Sequence, residues 1–382
     1  MDFGGSRLYE IELWSAGGSR IADISALCFN RSYSMQRNEA ETLTFSLNLF
    51  SFESYCLNNL GGADPHTLIA PYVTDVKVKR AGQYLFGAQV VDISFDLATD
   101  MSRAGEGGGG AQATSQDYTV TVTCTGYLNL FKDRYVSKVY TATEATLIAT
   151  DLLTTTQAQT NGSVGVTNAV SQYTTGVNRD RTYQRDNVKL KIQELTTLID
   201  GNFDFAFTWD KKFQTYSKIG ARRTDLKFIY GGPLSNVAGF QLSRSGINLF
   251  NKVYGLGSGF GTDQLQSTQV DLTSQLNYYV REQIQQFNSV SIQATLDQNT
   301  TAAVSLAKDI LELPKITITG KELNSSFLSV GDRIPLQVNN HTWLSNINGL
   351  YRIEQMDVAI DENDFESAIQ LTFDNYGVNQ SE

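Results

Sequence analysis

The feature that most constrains this chain is a run of strict alternation, in which Tyr118, Val120, Val122 and Cys124 are interleaved with Thr119, Thr121, Thr123 and Thr125. A period of two puts one set on each face of a strand, so this segment has one apolar face and one hydroxyl-bearing face. Strands with a single wet face belong to antiparallel sheets. The same period recurs in Leu43, Phe45, Leu47 and Leu49, in Val91, Ile93 and Phe95, and in Phe203, Phe205, Phe207 and Trp209. Behind the last of these, Asp210, Lys211 and Lys212 read as a turn and 213–216 as a return strand.

Helical spacing is confined to three segments. Val188, Ile192, Leu195 and Ile199 form one apolar stripe behind Asp186, a good N-cap. A second helix is predicted over 144–153. A third is predicted over 301–313, where Ala303, Ala307 and Ile310 share a face and Pro314 forces a stop. The stretch SRAGEGGGGAQATSQD at 102–117 is too Gly-rich and polar to pack, which makes it a mobile loop joining the two arms of one long hairpin. A second mobile stretch is expected at 156–180, rich in Thr, Gln, Asn and Gly.

A chain of 382 residues exceeds the usual size of one hydrophobic core. Composition divides it into a strand-rich part at 1–135, a part at 136–239 with two helices and the aromatic hairpin, and a part at 240–382 that returns to strands after one helix. The expected fold class is mainly β with an α+β middle region. With 41% hydrophobic residues the chain can bury sizeable cores, and its net charge of -10 argues against broad attraction to phosphate backbones. Cys28, Cys56 and Cys124 lie far apart without a CxxC pair, so they are expected to be buried thiols rather than a disulfide framework or a zinc site. The beginning MDFGGSRLYEIELW lacks the cationic and apolar regions of a signal peptide. No apolar run approaches the ~18 residues that span a bilayer, so a soluble species made in the cytoplasm is expected.

An internal repeat is the most informative feature for assembly. The eleven residues from Phe86 to Asp96 align without gaps on those from Tyr351 to Asp361, matching Asp92 to Asp357 and Asp96 to Asp361. Val91, Ile93 and Phe95 fall on Met356, Val358 and Ile360. Each copy follows a strand and turn, DVKVKRAGQ or DRIPLQVNN, and precedes a polar loop and an alternating strand, DYTVTVTC or ESAIQLTF. Two similar β-domains, one towards each end of the chain, are implied.

Catalytic chemistry finds little to stand on. His66 and His341 are the only histidines, both in loop-like contexts, and there is no HExxH or G-x-S-x-G. Gly255, Gly257, Gly259 and Gly261 resemble a phosphate loop but lack its Lys and a following helix, so a turn or bulge is expected. A glycosidase-like acid pair could be cast from Glu39 and Glu41, or from Asp361, Glu362 and Asp364, although solvated turn charges account for them more simply. Aromatic residues at 203–216, if exposed, would suit a carbohydrate-binding or glycan-processing module. The preferred expectation is a structural protein with no catalytic site, cofactor or metal.

The segments DVKVKRAGQYLFGAQVVDISFD and YTVTVTCTGYLNLFKDRYV resemble the start of phage tail-hub proteins of long-tailed bacteriophages. The later order is similar too: a helix before IDGNFDF, then NLFNKVYGLGSG, FLSVGDRIPLQV and GLYRIEQMDVAID with a closing strand. The resemblance covers nearly the whole chain, by order and pattern. It implies two tube-like antiparallel β-barrel domains flanking a small α+β domain, and a trimeric, pseudo-sixfold ring that closes the tail tube, anchors tip proteins and forms part of the DNA conduit. Implied neighbours are a distal tail or tail-tube ring protein, a tape-measure protein and a spike, fibre or receptor-binding tip protein, with DNA only in transit. A distal tail ring protein, which would be hexameric, is the rival within the same class. The place implied is the virion tail tip, after assembly in the host cytoplasm. On this reading Asp92, Asp96, Asp100, Asp357, Asp361 and Asp364 form acidic clusters on the channel wall, where like charge lets DNA slide. Arg103, Glu106, Gln112 and Asp117 sit in the mobile loop expected to touch a neighbour.

Overall fold

The computed structural model describes residues 7–97, 118–198, 200–288, 290–319, 324–339 and 341–374. The first part holds β1 (Tyr9–Ser15), β2 (Arg20–Asp23), β3 (Cys28–Gln36), β4 (Thr42–Asn48), helices α1 (Leu49–Asn59) and α2 (Pro65–Leu68), then β5 (Thr74–Arg80), β6 (Gln83–Leu97) and β7 (Tyr118–Gly126). The middle holds β8 (Tyr135–Glu144), α3 (Ala145–Gln157), β9 (Thr167–Asn168), β10 (Asn178–Asn187), α4 (Val188–Thr196), β11 (Asp204–Phe207) and β12 (Lys212–Tyr216). The last part begins with β13 (Phe228–Tyr230), β14 (Gly239–Ser245), β15 (Lys252–Leu256), β16 (Gln266–Val270), α5 (Leu272–Tyr278), β17 (Glu282–Gln286) and α6 (Gln293–Ala307). It closes with β18 (Leu311–Ile318), β19 (Arg333–Val338), β20 (Asn348–Ile360) and β21 (Glu366–Phe373).

The fold is mainly β. Thirteen strands from both ends of the chain join in one sheet, along the path β14-β18-β21-β20-β3-β4-β7-β6-β5-β1-β2, with β19 on β20 and β13 on β19. The alternation that marks β7 is kept: Val120, Val122 and Cys124 are buried, and Thr119, Thr121 and Thr123 lie on the other face. The sheet's apolar face builds a single core containing residues from Tyr9 to Cys124 and from Phe228 to Phe373. Two tube-like antiparallel β-barrel domains were expected, and no closed barrel is found among the described residues. Among the described residues the thirteen strands form an open path, because β3 of the first half pairs with β20 of the second and fuses their cores. A second core lies in the middle region, where Val188, Ile192, Leu195 and Leu198 pack with Phe203, Phe205, Phe207 and Phe213.

Local physics accounts for the other departures. The third helix runs over Gln293–Ala307 and buries Leu296, Thr300 and Val304, whereas Pro314 lies inside β18 opposite Leu242. β18 pairs with β21 only from Lys315 onward, so at Pro314 one side of the ladder is free and a missing N–H is tolerated. The stretch 156–180, expected to be mobile, is pinned: Gln157 accepts from the Val166 N–H, and Gln172 donates to the Phe213 carbonyl and accepts from the Thr215 N–H. The helix starting at Val188 is capped by Asn187 rather than Asp186. Helices α1 and α5 were not expected. Their caps, Asn48 and Asp271, are ordinary, but each helix buries few side chains and leaves only a faint apolar stripe.

Candidate assembly interface

The repeat at residues 86–96 and 351–361 is the centre of two topologically equivalent halves. In the first, β5, β6 and β7 form an antiparallel meander, extended past β7 by β4 and then β3. In the second, β19, β20 and β21 form the same meander, extended past β21 by β18 and then β14. β1 lies outside β5 and β13 outside β19, antiparallel in one half and parallel in the other. The inward residues of β20, namely Tyr351, Ile353, Met356, Val358 and Ile360, are all buried. Their counterparts in β6 are buried at Phe86 and Ala88. A bulge after Val90 then puts Val90 inward in place of Val91, and Phe95 is left 52% exposed.

That exposure has a structural cause. Along one edge β20 is paired first with β19 and then, from Gln355 to Ile360, with β3. The matching edge of β6 is paired with β5 as far as Gln89, the Val90 carbonyl then accepts from the Tyr72 N–H, and among the described residues no strand follows.

The repeated acids divide into two groups. Asp92 and Asp96 lie on the wet face of β6, opposite Thr123 and Thr119, and Asp357 lies on the wet face of β20 between Ser34 and Gln370. Around them that face carries Ser32, Thr42, Thr44, Thr121 and Thr125, and its described positions on β3, β4, β7, β21, β6 from Asp92 and β20 from Gln355 hold no Lys or Arg; on the next strand, β18, Lys315 lies on the same face opposite Thr372. Asp361 and Asp364 belong instead to the turn between β20 and β21. Asp361 accepts from the N–H groups of Asn363 and Phe365, and Asp364 pairs with the buried Arg31. Asp100, Arg103, Glu106, Gln112 and Asp117 lie outside the described residues.

The halves are locked by a buried polar network that sequence reading missed. Glu366 accepts from the Tyr9 hydroxyl (2.6 Å), the Ser325 N–H (2.6 Å) and hydroxyl (2.7 Å), and Arg80 Nε (2.8 Å). Burial alone would raise its carboxyl, but these hydrogen bonds outweigh burial and hold it below the ordinary glutamate range. Only its position in the repeat-flanking segment ESAIQLTF marked it, on a strand whose alternation makes a charged inward residue anomalous. The middle region is tied on by Arg37, which bridges Asp204 (2.6 Å) and Glu354 (2.9 Å), and by Lys211, which meets the buried Asp75 at 2.6 Å.

The residues weighed for catalysis are dispersed. His66 and His341 are exposed, the latter stacked on Tyr230. All three cysteines are buried free thiols, and burial pushes Cys28 and Cys124 up, away from thiolate formation. Glu39 is paired with Lys189, while burial raises Glu41 to about 7. Gly259 and Gly261 adopt positive φ in a loop after β15, as a turn requires. The aromatic hairpin does not suit a sugar platform: Phe203, Phe205, Phe207 and Phe213 are core residues, at most 7% exposed. Among the described residues no cluster of His, Cys, Asp and Glu could hold a metal ion, and no helix is long and apolar enough to cross a membrane.

No family model and no curated protein matches the sequence. Several solved structures match its fold over almost their whole length. A tail protein from Neisseria meningitidis superposes with a TM-score of 0.58 at 11% identity, covering 96% of each chain. The 43 kDa tail protein of prophage MuSo2 from Shewanella oneidensis gives 0.58 at 12%, covering 95% of this chain and 98% of that one. A prophage tail protein from Listeria monocytogenes gives 0.53 at 12%, covering 97% and 95%. The chain has the fold of these tail proteins.

Proposed function

We propose that this chain is a structural subunit of a phage-type tail: a hub of three copies in a closed ring that ends the tail tube, anchors tip proteins and lines part of the DNA path. The observation that carries the reading is the duplication of the half-sheet within one chain. Three such chains present six near-equivalent units around an axis while keeping threefold symmetry, which suits a part standing between a sixfold tube and a threefold tip. The fold shared with tail proteins supports the same setting, although a shared fold does not by itself fix function. Natural neighbours are a tube or distal tail ring on one side and a spike, fibre or receptor-binding tip on the other, with the tape-measure protein ending nearby.

The wet face of β6 from Asp92, β7, β4, β3, β20 from Gln355 and β21 would form the channel wall, with Lys315 of β18 at its border. Hydroxyls, amides and the carboxylates of Asp92, Asp96 and Asp357 offer a polyanion no counterion-releasing contact, so DNA passes without being held. The mass of the purified chain tests the oligomer: three times 42.2 kDa is expected. A hexamer would favour a distal tail ring, and a stable monomer would overturn the hub. The wall is tested by replacing Asp92, Asp96 and Asp357 with Lys; particles should assemble and adsorb but deliver DNA slowly, and normal delivery would remove the charge argument.

A further inference from the structure

Among the described residues, β6 beyond Val90 and the outer side of β14 each lack a partner strand. Within the chain, the two halves meet where β3 adds antiparallel to β20, with Met35 opposite Met356, Ser34 opposite Asp357 and Tyr33 opposite Val358. The strand equivalent to β20 in the first half is β6, whose edge beyond Val90 has no partner strand among the described residues. The strand equivalent to β3 in the second half is β14, which among the described residues ends the sheet and pairs only with β18. Each half thus has an acceptor edge and a donor strand, and one of the two possible junctions is made inside the chain.

We propose that the other junction is made between chains: β14 of a second copy adds antiparallel to the β6 edge, on the same register as β3 on β20. The proposal rests on the ring reading for the existence of a second copy, and the repeat fixes where that copy sits. The equivalences can be followed strand by strand. Leu43, opposite Tyr33 and Cys124, corresponds to Ile316, opposite Phe240 and Leu371, so Phe240 takes the place of Tyr33. Phe240 then faces Ile93 of the neighbour, Gln241 faces Asp92, and Leu242 falls on the bulge at Val90 and Val91. The chemistry of the two edges agrees with this register. Phe240 and Leu242 point to the apolar side with Ile93, whereas Gln241 and Asp92 point to the wet side, as Ser34 and Asp357 do in the internal junction.

Two exposed apolar features fall where the junction would cover them. Below the open edge, α1, α2 and β6 enclose an apolar hollow of about 650 Å³ lined by Leu57, Ile69, Ile93, Phe95 and Val120. Antiparallel addition carries the segment ahead of β14 past Phe95, bringing Leu234, which is 76% exposed, toward that hollow. An open strand edge beside exposed apolar side chains invites promiscuous pairing unless a specific strand covers it.

Paired cysteines test the register. Asp92→Cys with Gln241→Cys, both at exposed positions, should give disulfide-linked species on mild oxidation that end at three chains, with the two engineered peptides joined between chains. The three native thiols are buried and stay out of the reaction. Ser34→Cys with Asp357→Cys, directly opposed in the internal junction, calibrates the geometry and should link within one chain. Chains that assemble as three copies and form the internal link, but not the Asp92/Gln241 link, would overturn this junction and leave the ring intact. Stronger linking by Ser94→Cys with Gln241→Cys would overturn the register. A chain monomeric throughout, with the internal link formed, would overturn both junction and ring.

Discussion

Glu366→Ala should destabilise the chain by about 3–5 kcal/mol, because it breaks a buried ion pair and leaves the other member uncompensated. The Glu366 side chain is 1% exposed and that of Arg80 9%. Without the carboxylate, Arg80 Nε keeps only the Tyr9 hydroxyl at 3.3 Å, and the Ser325 N–H loses its acceptor. Glu366→Met combined with Arg80→Met should recover most of the loss, since removing both charges also removes their desolvation cost. The pH dependence has a definite sign. The folded-state carboxyl is held below its ordinary value, so its stabilisation is present above the unfolded pKa of about 4.3 and is lost as pH falls through the folded value. Urea unfolding followed by tryptophan fluorescence and circular dichroism, from pH 7 downward, measures both effects. A loss below about 1 kcal/mol at pH 7, or one that persists undiminished in acid, would refute the claim that this network clamps the two halves.

Phe205→Ala removes a ring 2% exposed that packs on Phe213 at 5.4 Å, and should cost about 3–5 kcal/mol; an unchanged melting profile would contradict the middle core. Lys211→Met should cost about 3–5 kcal/mol at pH 7 by stranding Asp75. Burial already raises the Asp75 carboxyl, so acidification should shrink that cost as the acid protonates, and a pH-independent loss would count against the pairing. Gly87→Ala would set a Cβ 2.5 Å from the Tyr127 hydroxyl and 2.6 Å from the Trp209 carbonyl oxygen, so a drop of about 1–3 kcal/mol is expected in thermal unfolding.

What the sequence revealed was whatever one strand can show by itself. The Thr/Val alternation of β7, the stripe of α4 and the match between 86–96 and 351–361 are local patterns, and each marks a real element. The fusion of the two halves was hidden because the β3–β20 pairing joins residues more than three hundred apart in sequence, and neither strand advertises its partner. The same distance hid Glu366 with Tyr9 and Arg31 with Asp364. The aromatic hairpin was legible as a hairpin, but period two does not say whether other elements cover the aromatic face, and here it is buried in a core shared with α3 and α4. The Gly-rich stretch 102–117, expected to be a mobile loop, lies outside the described residues.

End-on images of the assembled chain test the central claim most directly. Averaged without imposed symmetry, they should show a closed ring with a central channel, strict threefold repetition and six near-equivalent lobes, two from each chain. A ring with six identical lobes and no threefold modulation, or particles with no ring at all, would contradict the account.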